Sequence, residues 1–233
     1  MIVSINQPAY LPWLGFFDRI AKSDLHILLD HVQFERGSMT NRNKILSKQG
    51  PIWLTVPLMK KNQFGLPISE IKINNTPPKW TVKHKETIRQ CYSKAPFFRD
   101  YSSKILEIYD NNWTTLNELL RETITLFLDQ IGIVTKIICS SELCVSGGKS
   151  KLILNLCKEV GAKSYISGPF GRDYLDIDDF ERAGIEVIFH DYAHPKYSQN
   201  QDDFVPNLSV LDLIFNKGNE SLSVITAGQS LIL

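Results

Sequence analysis

Met1-Ile2-Val3-Ser4-Ile5-Asn6-Gln7-Pro8-Ala9-Tyr10-Leu11-Pro12-Trp13-Leu14-Gly15-Phe16-Phe17 opens the chain and decides how the rest is read. The β-branched run 2–5 predicts a strand, and Asn6-Gln7-Pro8 stops it. An aromatic, proline-punctuated loop follows, and 14–22 predicts a helix. In α/β proteins such a strand–loop–helix junction lies at the carboxyl end of a strand, where ligands bind. Pro8 and Pro12 fix φ and stiffen the loop. Tyr10 and Trp13 offer flat faces with polar tips. A loop this rigid and aromatic is expected to hold a ligand. The next strand, 25–29, ends at Asp30-His31. A β-loop-α-β unit of this kind predicts a parallel sheet.

Working outward, 32–43 reads as polar and irregular. A strand is expected at 52–56, stopped by Pro57, then a basic glycine-containing loop at 60–66. The alternation over 68–73 predicts an edge or antiparallel strand. After Pro77-Pro78, helices are expected at 80–92, 97–109 and 114–131. The last carries Leu116, Leu119, Leu120, Ile124, Phe127 and Leu128 at helical spacing. Strands resume at 135–139, 164–167 and 185–189, with helices at 149–159, 208–216 and 220–228. The expected fold is therefore α/β. It has a mostly parallel Rossmann-like sheet flanked by helices in one domain over 1–233, with a helical insertion at 77–132.

The 233 residues suit one domain, and 43% hydrophobic with 22% charged residues is an ordinary globular composition. A formal net charge of +1 provides no global field for nucleic acid or an anionic membrane. The N-terminus lacks the basic region of a signal peptide, and no apolar run approaches a membrane span. Cys91, Cys139, Cys144 and Cys157 form no Cys-x-x-Cys pair, so reduced thiols in a cytoplasmic protein are expected and structural zinc is not. No spacing calls for a metal or another cofactor.

Four polar clusters fall at strand ends or just beyond them. They are Gln7, Tyr10 and Trp13; Asp30, His31 and Gln33, with Asn41, Arg42 and Asn43 behind; 167–174, with Gly168 and Arg172; and 190–199, with His190, Tyr197 and Gln199. A parallel sheet places all strand carboxyl ends on one edge, so these loops are expected to converge. Arg42 between two asparagines suits an oxyanion or a loop-pinning ion pair. The Gly168–Gly171 turn suits phosphate or a tight turn alone. His84 and His190 are candidate proton carriers, and Asp30 joins them as a candidate catalytic carboxylate.

The pattern resembles the WbqC-like family of bacterial proteins. The stretches that carry the likeness are Asn6 to Phe17, Leu28-Leu29-Asp30, Val32-Gln33-Phe34, Asn41-Arg42-Asn43, Trp53-Leu54-Thr55-Val56-Pro57 and His84. It continues through Tyr165-Ile166-Ser167-Gly168, Tyr197-Ser198-Gln199 and Leu208-Ser209-Val210-Leu211-Asp212. Many members carry His-Gln-Pro where this chain has Asn6-Gln7-Pro8, and His31 stands where acidic residues are common. A fainter likeness in layout links the opening segment to nucleotidyltransferases and pantoate ligases. Their His-x-Gly-His pair is replaced here by Pro12-Trp13, which argues against adenylyl transfer by the usual means.

The family resemblance implies a bacterial cytoplasmic protein of O-antigen or surface-polysaccharide biosynthesis. The expected activity is a transferase acting on a nucleotide-linked amino sugar, with acyl or aminoacyl transfer favoured. His84 is then the preferred base, with Asp30 and His190 as further catalytic candidates. Gln7, Tyr10, Trp13, Asn41, Arg42, Asn43, Gly168, Arg172, Tyr197 and Gln199 would bind substrate. Two alternatives stand beside it: a non-catalytic sugar-nucleotide-binding or scaffolding protein, and a nucleotidyltransferase relative with a degenerate motif. The expected partners are a small-molecule substrate and an acyl donor or carrier protein, with a homo-oligomer left open and no nucleic acid.

Overall fold

The computed structural model describes residues 1–60, 65–76, 79–228 and 230–231. Most of the expected basic loop at 60–66, and Pro77-Pro78 at the start of the expected insertion, lie outside the described residues.

The opening run forms β1 (Ile2–Asn6), and α1 (Leu14–Ala21) leads into β2 (Leu25–Leu28). A hairpin follows, β3 (Arg42–Ser47) and β4 (Gly50–Thr55), then α2 (Trp80–Tyr92), α3 (Phe98–Glu107) and α4 (Leu116–Ile131). The remaining elements are β5 (Lys136–Cys139), α5 (Lys149–Glu159), β6 (Ser164–Ser167), α6 (Ile177–Arg182) and β7 (Glu186–Phe189). The chain ends with β8 (Asp191–Tyr192), α7 (Val210–Lys217), α8 (Ser221–Thr226) and β9 (Ser230–Leu231).

Five strands make one all-parallel sheet in the order β5-β2-β1-β6-β7. That order is one the preference for right-handed crossovers allows. Strands are added outward from β1 through β2 to β5, and the chain then returns to the other side of β1. Alternation along the strands sorts the two faces. Val3, Ile5, Leu25, Ile27 and Tyr165 pack in a cluster with Leu152, Leu156 and Phe180, from α5 and α6. Leu28 and Cys139 meet the opposite cluster, which holds Phe17 and Ile20 of α1, Ile124 and Phe127 of α4, and Leu213 of α7. Helices α2 to α4 thus share a core with the first crossover helix. Thr115 and Glu118 close a capping box on α4, and Gly132 ends it in the left-handed region.

Two local expectations are corrected. The predicted strand at 68–73 is a single 3-10 turn, Ile68–Glu70, flanked by isolated bridges Leu58↔Ile73 and Lys72↔Thr115. Its backbone bonds are spread over Val32, Asp30 and Leu116 and find no single ladder partner. The Asn41-Arg42-Asn43 triplet does not lie wholly in an irregular loop. Arg42 and Asn43 begin β3, paired with Thr55 and Leu54.

Candidate functional site

Because the sheet is parallel, the carboxyl ends of its strands share one edge. Asn6 ends β1, Asp30 follows β2, Ser140 follows β5, Ser167 and Gly168 close β6, and His190 follows β7. The strand order reverses between β1 and β6, the point where open α/β sheets bind ligands. The topology therefore brings Asp30, Gly168 and His190 to one edge, with half-buried Gln7 in the turn after β1.

The opening loop is fixed to its surroundings from Tyr10 to Trp13. Tyr10 N–H donates to the Met39 carbonyl at 3.1 Å, and Val210 N–H to the Pro12 carbonyl at 2.8 Å. Leu11 sits in the left-handed region, φ 46°, a costly place for leucine. The buried Asn43 amide donates to the Leu11 carbonyl at 2.6 Å and so helps hold that conformation. Trp13 turns its ring over Gly15, where a Cβ would collide with it at 2.4 Å, and meets Tyr192 edge-on at 5.5 Å.

Tyr10 is fully buried and does not offer its face to solvent. Its hydroxyl lies 2.9 Å from His84 Nδ1 and 2.7 Å from the Tyr109 hydroxyl. Trp80 and Tyr109 enclose the same imidazole. Burial pulls the His84 ring down to about 4; Lys83 adds to the drop, and a backbone hydrogen bond with Thr55 opposes it. The neutral ring then donates to the Thr55 carbonyl and accepts from Tyr10, giving a directed chain from Tyr109 through Tyr10 and His84 to β4.

Thr55 also lines a cleft of about 470 Å³ between the 34–42 loop and the end of β4. Asn41, Arg42, Arg36 and Lys60 line it with Phe34, Val56 and Ile71, and among the described residues that line it none has a carboxylate side chain. Arg42 donates to the Gly37 carbonyl at 2.5 Å and lies over the Trp53 ring at 4.5 Å. The buried Arg42 Nε has no partner among the described residues. Asn41 is tied to β4, its amide donating to the Val56 carbonyl at 2.9 Å.

Asp30 is a saturated acceptor. Ser140 Oγ and Ser141 N reach Oδ1, while Ser141 Oγ and Asn117 Nδ2 reach Oδ2, at 2.7 to 3.1 Å. Burial pushes this carboxyl up, but the Ser141, Asn117 and Ser140 donors outweigh it and leave Asp30 below the usual carboxylate range. It joins the ends of β2 and β5 to α4. His190 Nε2 is 2.6 Å from Asp18 Oδ2, which also pairs with Lys22 at 2.7 Å. The ring stacks on Tyr192, and its Nδ1 has no partner among the described residues.

The remaining candidates are held elsewhere. Arg172 makes a bidentate pair with Asp191 at 2.8 and 2.6 Å and covers Phe189. Tyr197 and Gln199 both donate to Asp212 Oδ2, at 2.9 and 2.8 Å. Burial raises the Asp212 carboxyl against the pull of Tyr197, Gln199 and Tyr92. The expected residues thus form a strand-edge group, a buried Tyr–His relay, a cationic cleft and an Asp212 cluster. Sequence reasoning missed Arg36 and Lys60 at the cleft and Trp53 beneath its Arg42, and Asn6, Asp18 and Arg19 at the strand edge. For the last two a signal existed: two adjacent charges in an eight-residue, otherwise apolar helix.

Among the described residues, no helix is long and apolar enough to cross a membrane, and no group of His, Cys, Asp and Glu is arranged to hold a metal ion. The chain is 35% identical over 221 residues to "Uncharacterized protein Rv1507c" of Mycobacterium tuberculosis, covering 94% of this chain and 95% of that protein. No solved structure matches it. The sequence profile of the WbqC-like protein family matches residues 7–224, so the chain belongs to that family.

Proposed function

We propose that the protein is a cytoplasmic transferase of bacterial surface-polysaccharide (O-antigen) assembly that moves an acyl or aminoacyl group onto the amine of a nucleotide-linked sugar. The observation that carries this reading is the cleft, with three cations, an asparagine and no carboxylate side chain among its lining residues. Such a wall suits a phosphate-bearing ligand, because guanidinium forks and oxyanions make charge-assisted hydrogen bonds. Arg42 and Asn41 meet the phosphates, and Trp53 supports the Arg42 guanidinium from below. Asn43, Tyr10, Trp13, Tyr197, Gln199 and Arg172 are engaged with protein partners and serve to position the walls. Gly168 and Gln7 belong to the strand edge, where a second substrate, the acyl donor, free or on a carrier protein, would approach.

His84 is the proton acceptor in this proposal, its Nδ1 taking the proton when the Tyr10 hydroxyl turns its own hydrogen toward Tyr109. It lies one residue behind the cleft wall, through Thr55, and is neutral at pH 7. A positioned base contributes roughly 10²–10⁴-fold in rate. Thermal-shift screening of nucleotide sugars, then mass spectrometry with acyl donors, tests the reading. One nucleotide sugar should raise Tm and gain the acyl mass, and His84→Ala should keep the shift and lose turnover. Wild-type turnover in His84→Ala would remove His84 from the mechanism, and no shift with any nucleotide sugar would overturn the whole proposal. Binding without turnover is a second reading, favoured by the burial of His84 at 4% exposure. Saturable binding with no product under any donor would select it.

A further inference from the structure

Open α/β sheets form their ligand crevice where the strand order reverses, here between β1 and β6, and at that point lies a cation that the proposed function does not use. Arg19 of α1 is 6% exposed. One terminal nitrogen donates to the Asn6 side-chain oxygen at the end of β1. Among the described residues its Nε has no hydrogen-bond partner. Both terminal nitrogens lie beside Gly168, where a Cβ would be 3.0 Å from each. Among the described residues no ion pair joins Arg19 to a carboxylate. Asp18, next in sequence, attracts it at longer range but is itself bonded to Lys22 and His190.

A buried guanidinium without an anion is costly, because its lost hydration is not replaced. Burial accordingly draws the Arg19 pKa down, against weaker opposing influences from Tyr165, Tyr174 and Asp18. The cation nonetheless sits where a ligand could reach it. Asn6 and Gly168 are only half-buried, and Pro169 and Phe170 beyond them are exposed. The other partnerless buried nitrogen at this edge, His190 Nδ1, is fixed to β6 through the bond from His190 N–H to the Ser167 carbonyl, 2.9 Å.

We propose that this crevice is a second anion site, in which Arg19, held by Asn6 and lying against Gly168, receives the phosphate or carboxylate oxygens of a small-molecule substrate. Gly168 leaves room there for the guanidinium, which a Cβ would crowd and push aside by a few tenths of an ångström. The site is separate from the cleft and does not depend on what the cleft binds.

Side-chain ¹H–¹⁵N NMR reads it directly. The Arg19 Nε–H signal reports the crevice, and the Trp53 indole N–H, beneath Arg42, reports the cleft. The protein is titrated with sodium pyrophosphate in one series and sodium acetate in another, at constant ionic strength set with chloride. The Arg19 signal should shift saturably with pyrophosphate, with acetate or with both, and the responding anion distinguishes phosphate from carboxylate. Gly168→Ala should weaken that response at least tenfold while the Trp53 response stays as in the wild type. Arg19→Lys assigns the signal by its loss. An Arg19 signal that neither anion moves, or that moves equally in Gly168→Ala, would overturn the proposal. A silent Trp53 signal would instead count against phosphate binding in the cleft.

Discussion

Replacing His84 by glutamine should flatten the acid limb of the stability curve. His84 is 4% exposed, and its ring is pulled down to about 4 by burial. The same side chain titrates near 6.5 in an unfolded chain. Between those values the unfolded state binds a proton that the folded state refuses, so stability rises with pH across this window and falls on acidification. For one such group, linkage gives a loss of about 2 kcal/mol on going from pH 7.5 to pH 5. His26 is fully buried, with Nδ1 2.7 Å from Ser4 Oγ, and burial takes it to about 3. It contributes a similar loss, but equally in both proteins, so it cancels in the comparison. Urea unfolding of wild type and His84→Gln at half-unit steps from pH 5 to 7.5 supplies the two slopes. The variant should lose about 2 kcal/mol less than the wild type over that range. Parallel curves, within about 0.5 kcal/mol, would mean that His84 protonates freely in the folded state, and the Tyr109–Tyr10–His84 chain would be wrong.

Two further expectations follow from the same geometry. Asp30→Asn replaces one of two carboxylate oxygens, each with two donors, by a donor itself. It should cost about 2–4 kcal/mol in unfolding free energy, and a change below about 0.5 would contradict the latch between β2, β5 and α4. Cys139 and Cys157 are buried, which pushes both thiols up to about 12, with Asp30 also raising Cys139, whereas Cys144 is exposed. A disulfide reagent at pH 8 should modify Cys144 first and Cys139 and Cys157 only after unfolding. Four thiols reacting together in the native protein would contradict that burial.

The sheet was legible because its signal is local. Val3 and Ile5 share a face two residues apart, and Asn6-Gln7-Pro8 ends the strand within the same few residues. The hairpin was half hidden. Arg42, Asn43 and Lys44 have low strand propensity, and they pair because Leu54 and Ile52 of β4 lie opposite Asn43 and Ile45. The turn at Ile68–Glu70 misled because Ile71 and Ile73 imitate alternation, while Ile68 and Ile71, both buried, are three apart. Function was less legible than fold because its groups are assembled across the chain. Asp30 depends on Asn117, Ser140 and Ser141. Arg19 acquires meaning only when Gly168, far along the sequence, is laid against it. Arg36, Arg42 and Lys60 are visible as charges, but their union in one cleft follows from how the 34–42 loop meets β4.

Calorimetric titration with UDP-linked and dTDP-linked amino sugars, on wild type and Arg42→Ala, tests most directly whether the cationic cleft is where a phosphate-bearing ligand binds. The wild type should bind at least one of them saturably. Arg42→Ala should bind it at least tenfold more weakly, a loss of about 1.4 kcal/mol or more, while unfolding at the same denaturant concentration to within ordinary surface-mutation effects. No heat of binding in the wild type, or equal affinity in Arg42→Ala, would contradict the account.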